Sequence, residues 1–146
     1  MRIEIRQIRS QDKDQWLPLW RAYQAFYEAD LSADEDRLWR ALNAPQKDGP
    51  YGLVAAGGDG ELLGIAHYLF HITTWSSAPR CYLNDLFTLP QARGQGVGRK
   101  LVEAVYAKSD EHGAGQVWWL TQEFNREARL LYDRIAKVTP FIKYAR

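Results

Sequence analysis

Three glycines alternate in Arg93-Gly94-Gln95-Gly96-Val97-Gly98-Arg99-Lys100, with basic residues on both sides. Glycines so spaced let the backbone approach a ligand closely and turn successive N–H groups toward one point. The run before them, Cys81-Tyr82-Leu83-Asn84-Asp85-Leu86-Phe87-Thr88, reads as a strand. After them Val97, Leu101 and Val105 recur every four residues, as on one face of a helix. Strand, glycine-rich turn and helix make an anion site, because the free N–H groups and the dipole of the helix start both favour negative charge. The dipole alone contributes only about 0.3–1 kcal/mol. Several N–H hydrogen bonds, with Arg93 and with Arg99 or Lys100 nearby, must therefore supply most of the binding to a phosphate.

Two nucleotide motifs fail on residues. A Walker A loop needs Gly-Lys-Ser or Gly-Lys-Thr, whereas Gly98 is followed by Arg99, Lys100 and Leu101. A dinucleotide fingerprint needs G-x-G-x-x-G and an acidic residue about twenty positions later. Here the pattern is G-x-G-x-G, and the strand after the helix holds no acidic residue before Glu123.

The elements that must position this turn fit in one domain, residues 1–146, long enough for a stable core without covalent staples. Six tryptophans and an aromatic content of 13% call for packed aromatic surfaces or an aromatic-lined pocket. A formal charge of +1 offers no general field for nucleic acid or membrane, so neither is an expected partner. Cys81 is the single cysteine, which excludes an internal disulfide and a thiolate metal cluster. At the strand start no base is placed beside it by this pattern, which favours burial over a nucleophilic role. Met1-Arg2-Ile3-Glu4 opens no signal peptide, and no apolar run approaches the roughly 20 residues of a membrane span. A reducing, cytoplasmic setting is expected.

In chain order, Ile3, Ile5 and Ile8 mark a first strand, and Ser10 or Asp12 is placed to cap a helix carrying Trp16, Leu17, Trp20, Tyr23 and Tyr27. Trp16 and Trp20 share a face, as do Tyr23 and Tyr27; core packing is the first reading and the lining of an acceptor pocket the second. Glu28, Asp30, Asp34, Glu35 and Asp36 precede a short helix at Leu38, Trp39 and Leu42. They suit a solvated helix start better than a site for a cationic substrate. The residues on either side of Gly57-Gly58-Asp59-Gly60 form a hairpin. In its second strand His67 and His71 fall on one face; with no third ligand evident, packing, hydrogen bonding or pocket lining is expected rather than a metal site. The helix after the glycine turn closes at Gly113 or Gly115. Residues 116–121 are apolar on both faces, as in an interior strand, and a crossover helix makes that strand parallel to the one before the turn. A helix from Asn125 through Ile135 and a last strand at Phe141-Ile142-Lys143-Tyr144 complete the chain.

The strand, then Arg93-x-x-Gly96-x-Gly98, a helix, a strand, and Asn125-x-x-Ala128-x-x-Leu131-Tyr132 together resemble the GNAT superfamily of acetyl-CoA-dependent N-acetyltransferases. His71-Ile72-Thr73-Thr74-Trp75 and Tyr82-Leu83-Asn84-Asp85-Leu86-Phe87 are similar to its diamine, polyamine and yeast-type histone and polyamine branch. The resemblance implies an α/β (α+β) fold: a mixed sheet splayed between its fourth and fifth strands, flanked by about four helices, with the pantetheine arm in the opening. It implies that backbone groups of Leu86, Phe87 and Thr88 pair with the pantetheine. It also implies that N–H groups of Gly94, Gln95, Gly96, Val97, Gly98 and Arg99 hold the pyrophosphate beside Arg93, that Asn125 touches the cofactor arm and that Tyr132 faces the sulfur. Helical geometry independently puts Asn125 and Tyr132, nearly two turns apart, on one face. Homodimers are frequent in the family, and the last strand suits such an interface.

The chemistry asks for such groups. A primary amine of pKa near 10.4 is nucleophilic in about one molecule in a thousand at neutral pH. Losing its proton costs about 4 kcal/mol, so a base helps. Asp85, on the strand bordering the cleft, is the first candidate and Glu123 the second; Asn84 stands where that branch usually has glutamate. Coenzyme A leaves as a thiolate of pKa about 8.5, to which a phenol such as Tyr132 can donate, and a backbone N–H of residues 86–88 can serve the oxyanion. The expectation is direct transfer of acetyl from acetyl-CoA to a primary amine, of a small molecule, polyamine, amino acid or lysine side chain, with no metal and no covalent enzyme intermediate. A non-catalytic acyl-CoA sensor is the alternative and a nucleotide-binding domain a distant third.

Overall fold

A computed structural model of the chain describes residues 2–146. Five strands form one sheet in sequence order: β1 (Glu4–Gln7), β2 (Tyr51–Ala56), β3 (Leu62–His71), β4 (Arg80–Thr88) and β5 (Gln116–Trp118). The first four pair antiparallel, and β5 runs parallel to β4. Four helices flank the sheet: α1 (Lys13–Phe26), α2 (Glu35–Asn43), α3 (Val97–His112) and α4 (Arg126–Ile135).

Each face of the sheet carries its own apolar layer. On one side Leu63, Ala66, Tyr68, Phe70, Cys81 and Leu83 pack against Val97, Leu101, Val102 and Val105 of α3. On the other, Ile8, Val54, Ile65 and Phe87 pack against Trp16, Leu19 and Trp20 of α1 and Trp39 and Leu42 of α2. The alternation of β3 explains the division from Gly64 on, with Ile65 and His67 facing α1 and Gly64, Ala66, Tyr68 and Phe70 facing α3; a register shift opposite Ala55 and Ala56 puts Leu63 with α3 and Leu62 with α1. Gly64 lets α3 sit close: a Cβ there would lie 2.9 Å from the Phe87 carbonyl oxygen and from Val97 Cγ1. Any side chain at position 64 would push the start of α3, and the glycine turn with it, away from the sheet.

Helix α1 is set by a buried ion pair. Arg6 holds Asp12 through two hydrogen bonds of 2.8 Å, and the Arg9 N–H gives a third. The Arg6 guanidinium keeps the Asp12 carboxyl below its ordinary range. Asp12 thus anchors the entry to α1 instead of capping it; no side chain caps the α1 N–H groups. The hairpin at Gly57–Gly60 and the left-handed Gly113 at the end of α3, with φ of +80°, are as the sequence leads one to expect.

Two expectations need correction. The fifth strand is short and lies at the sheet edge, not in its interior. Its neighbourhood is apolar on both faces because Trp118 stacks on Tyr82 while Trp119 packs against Tyr106 and Tyr132. Residues 141–144 form no strand; Phe141, Ile142 and Tyr144 are exposed, and an isolated strand without a neighbour has no stability of its own. Among the described residues no helix is long and apolar enough to cross a membrane.

Candidate active site

Strand β5 pairs with β4 only through Arg80, Cys81 and Tyr82, so beyond Tyr82 the two strands part and β4 has an open edge. The register shows which backbone groups face that opening. Leu89 N–H donates to Leu63 C=O at 2.9 Å, so residues 63 and 89 are a hydrogen-bonded pair, and by alternation so are 65 and 87. Phe87 therefore spends its backbone groups on β3, and its ring is buried in the core. Leu86 and Thr88 turn theirs to the opening, where the Thr88 carbonyl accepts from Arg93 Nε at 3.2 Å. Of the three residues expected to meet a pantetheine through their backbone, two face the cleft and Phe87 faces away.

The glycine turn lies at the end of the same edge. Gly94 and Gly96 have φ of +78° and +80°, which favours glycine, and a Cβ at either would meet nothing within 4 Å. The first helical hydrogen bond of α3 runs from Lys100 N–H to Gly96 C=O, so the N–H groups of Val97, Gly98 and Arg99 have no partner within the helix. Those of Gly94, Gln95 and Gly96 take none from the backbone either, among the described residues. The Arg93 guanidinium is folded over the Phe87 ring at 5.8 Å. An open row of N–H groups at a helix start beside an unpaired strand edge fits a pyrophosphate joined to an amide-bearing arm. The residues therefore suit acetyl-CoA.

Helix α4 closes the far side of the cleft. A Cβ on Gly98 would lie 3.3 Å from Leu131 Cδ2, and Tyr106 Oη donates to Ile135 C=O at 2.9 Å. Asn125 stands at the helix start, with its Nδ2 donating to Thr121 Oγ1 at 3.2 Å and its carbonyl receiving Arg129 N–H. Tyr132 is half-buried against Trp119. Burial, with Tyr27 nearby, pushes its phenol up to about 12. It keeps its proton at any physiological pH.

Asp85 reaches the α1 face through an irregularity in β4. Partners run His67 with Asp85 and then Tyr68 with Leu83, so Asn84 is an extra, bulged residue. Without it Asp85 would share a face with Leu83 and Cys81 and point at α3. With it, Asp85 joins His67, Tyr82 and Phe87 on the side of α1. His67 Nδ1 lies 3.0 Å from Asp85 Oδ2, and Trp16 Nε1–H donates to His67 Nε2 at 3.1 Å. Removing the imidazole would strand two buried polar groups at about 1–3 kcal/mol each. Tyr23, Tyr27 and Tyr82 complete the surround. Burial raises all three phenols, and the Asp85 carboxylate raises them further. Tyr27 thus lies near both Asp85 and Tyr132.

The remaining candidates fall outside this cluster. Glu123 is exposed in the loop after β5, its carbonyl accepting from Arg129 at 2.7 Å. Cys81 is fully buried, and burial pushes its thiol up to about 12, which removes it as a nucleophile. His71 accepts from Trp118 Nε1 at 2.9 Å and donates to Ile72 C=O, so the two histidines of β3 serve different hydrogen bonds. Among the described residues no three of His, Cys, Asp and Glu come together as metal ligands. The acidic segment is used in surface contacts: Glu35 with Arg21, Asp34 with Arg37.

Comparison with known proteins agrees with this geometry. Residues 14–136 match the model of the acetyltransferase (GNAT) family. The chain is 36% identical over 146 residues to the D-amino-acid N-acetyltransferase HPA3 of Saccharomyces cerevisiae, covering 99% of this chain and 91% of that protein. It is 30% identical over 83 residues to the thialysine N-epsilon-acetyltransferase of Mus musculus, covering 55% of this chain and 48% of that one. In fold it matches AAC(6')-Iy in complex with a bisubstrate analogue, with a TM-score of 0.83 at 20% identity over 100% of this chain and 98% of that one. A cleft opened by the parting of β4 and β5, with an anion turn at one end, is thus found in a chain that belongs to the GNAT family of N-acetyltransferases and takes its acetyl group from acetyl-CoA.

Proposed function

We propose that this chain transfers acetyl directly to the primary amine of a small, amino-acid-sized molecule, with Asp85 as the base and Tyr132 as the donor to the leaving sulfur. The observation that carries this reading is a carboxylate that the bulge at Asn84 sets on the α1 face, held by His67 and bordered by Tyr23, Tyr27 and Tyr82. A protonated amine suits such a pocket, since aromatic faces and a carboxylate both attract a cation. The same carboxylate can then accept the proton that must leave before attack. The acetyl group comes with the cosubstrate. The chain's share is to bind it by the N–H groups of residues 94–99, to align its arm along Leu86 and Thr88 with Asn125 opposite, and to offer an outward N–H of Leu86 to the developing oxyanion. The names of the yeast and mouse relatives support an amino-acid-type acceptor. Thiol release from acetyl-CoA with D-alanine, thialysine, spermidine and a lysine peptide tests the proposal. One amine should turn over, and Asp85→Asn should lower its kcat at least tenfold with the Kd for acetyl-CoA unchanged. Tight acetyl-CoA binding with no turnover of any amine would favour a sensor instead.

A second copy of the chain is the proposed partner. Val138, Phe141, Ile142 and Tyr144 are each at least three-quarters exposed, and β5 has a free edge. An apolar extended segment and an unpaired strand edge are complementary when two chains exchange them. Light scattering should give twice the mass of the chain, 16.9 kDa, and Phe141→Asp with Ile142→Asp should return it to one copy. A monomer in the unmodified protein would overturn this.

A further inference from the structure

We propose that Trp16 and His67 form a positioning pair that fixes the Asp85 carboxylate as the proton acceptor of the acetyl transfer. The inference rests on the reading of Asp85 as base, and it assigns a role to two buried residues that touch neither substrate.

An indole N–H can only donate, so the 3.1 Å contact from Trp16 requires His67 Nε2 to accept. The proton of a neutral imidazole then sits on Nδ1, and Nδ1 lies 3.0 Å from a carboxylate oxygen, which can only accept. One tautomer satisfies both contacts. The other would set two donors against each other at Trp16 and two acceptors at Asp85. A doubly protonated ring would face the indole N–H with an N–H of its own. Trp16 therefore selects the state of His67, and His67 holds Oδ2 of Asp85.

The residues are placed for this. Trp16 is fully buried, stacked on Trp20 at 5.9 Å and tilted against Trp39 at 4.8 Å, so its N–H has a fixed direction. The His67 ring lies against both Trp16 and Trp20, and its side chain is 2% exposed. Trp16 is 51 residues from His67, and His67 is 18 from Asp85, so the line joins α1, β3 and β4 rather than following local sequence. The bulge at Asn84 brings Asp85 onto this line. The ionisable groups facing Asp85 are His67 from β3, Tyr23 from α1, Tyr27 just past its end and Tyr82 from its own strand. Of these only the imidazole is held in one protonation state by a second buried partner. A proton leaving the amine thus stops at Asp85: Nδ1 already carries one, and Nε2 is committed to the indole.

The test combines turnover and nuclear magnetic resonance on the full chain, using D-alanine or thialysine as acceptor. Long-range 15N–1H spectra of the wild type should show His67 with Nδ1 protonated and Nε2 bare; a ring protonated at Nε2, or averaged between forms, would overturn the proposal. His67→Leu should lower kcat about ten- to hundredfold, as when a hydrogen-bonded partner that orients a functional group is removed. His67→Asn, whose amide can still donate to Asp85, should stay within about threefold of wild type, with the acetyl-CoA Kd unchanged in both. Loss of activity in Asp85→Asn with a wild-type rate in a folded His67→Leu would sink the positioning role alone. A wild-type rate in Asp85→Asn would sink the base reading beneath it. If His67→Leu does not fold, Trp16→Phe decides: with no donor opposite Nε2 the ring should be seen protonated at both nitrogens in the same spectra and kcat should fall, and a rate and ring state both unchanged would overturn the pair.

Discussion

Gly96→Asp is expected to raise the Kd for acetyl-CoA by about 10²–10⁴ while leaving the protein folded. The two effects separate because Gly96 stands at the start of α3 with φ of +80° and open space where a Cβ would be. At its Cβ, an aspartate there meets no atom. It suffers some left-handed strain of about 1–2 kcal/mol, which the favourable place of an acidic side chain at a helix start offsets in part. Its carboxylate, however, competes for the N–H groups of residues 94–99 and repels a pyrophosphate. Losing two charge-assisted hydrogen bonds at about 1.5–3 kcal/mol each accounts for the range. Gly96→Ala, with strain but no charge, should lose far less. Calorimetric titration with acetyl-CoA checks both variants, and a thermal melt checks the fold. An unchanged Kd in Gly96→Asp would mean that the turn does not hold the phosphates.

The glycine turn is the part of the cleft that the sequence expresses most directly. Anion binding by backbone needs glycine at particular positions, and residue type therefore reports backbone geometry. Tyr132 and Asn125 are legible for a related reason, since helical periodicity carries a face across seven residues. Asp85 is harder. Simple alternation along β4 places it with Cys81 and Leu83 toward α3, and only the bulge at Asn84 returns it to His67 and Tyr23. A bulge leaves no fixed composition, so no local pattern announces it. The contact of Trp16 with His67 is hidden for another reason: it depends on how α1 lies over β3, which Arg6 and Asp12 help to set from outside either element. Tyr23 and Tyr27 show how the two readings of an aromatic stripe can both apply. Trp16 and Trp20 on the same helix are core, while the tyrosines one and two turns later border the carboxylate. The family resemblance puts the backbone of Phe87 at the cofactor along with its neighbours. A period of two divides such a run, and which half faces the cleft is fixed by the partner strand rather than by the residues themselves.

Tyr132→Phe should lower kcat by about 10²–10³, with the Kd for acetyl-CoA within about twofold of wild type. The phenol is held up at about 12 by burial. Against a thiolate near 8.5, complete proton transfer in the ground state would run uphill by about 5 kcal/mol. In the proposed mechanism Tyr132 would therefore act first as a hydrogen-bond donor to the sulfur as its charge grows, with the proton following once the carbon–sulfur bond has broken. The same shift fixes the alkaline behaviour. A phenol whose folded pKa exceeds its ordinary value of 10.0 contributes stability that is fully present below 10 and is lost as pH rises toward about 12. Over that window the loss amounts to about 3 kcal/mol, and the Phe variant should be free of it. Urea unfolding at pH 8 and pH 11.5 reads this directly: the gap in midpoint between the two proteins should move in favour of Tyr132→Phe as pH rises. The rate should show no alkaline limb from Tyr132 below about pH 11. A full kcat in Tyr132→Phe would leave the leaving thiolate to be stabilised from the opposite side of the cleft, by the strand-edge N–H groups and the helix start alone.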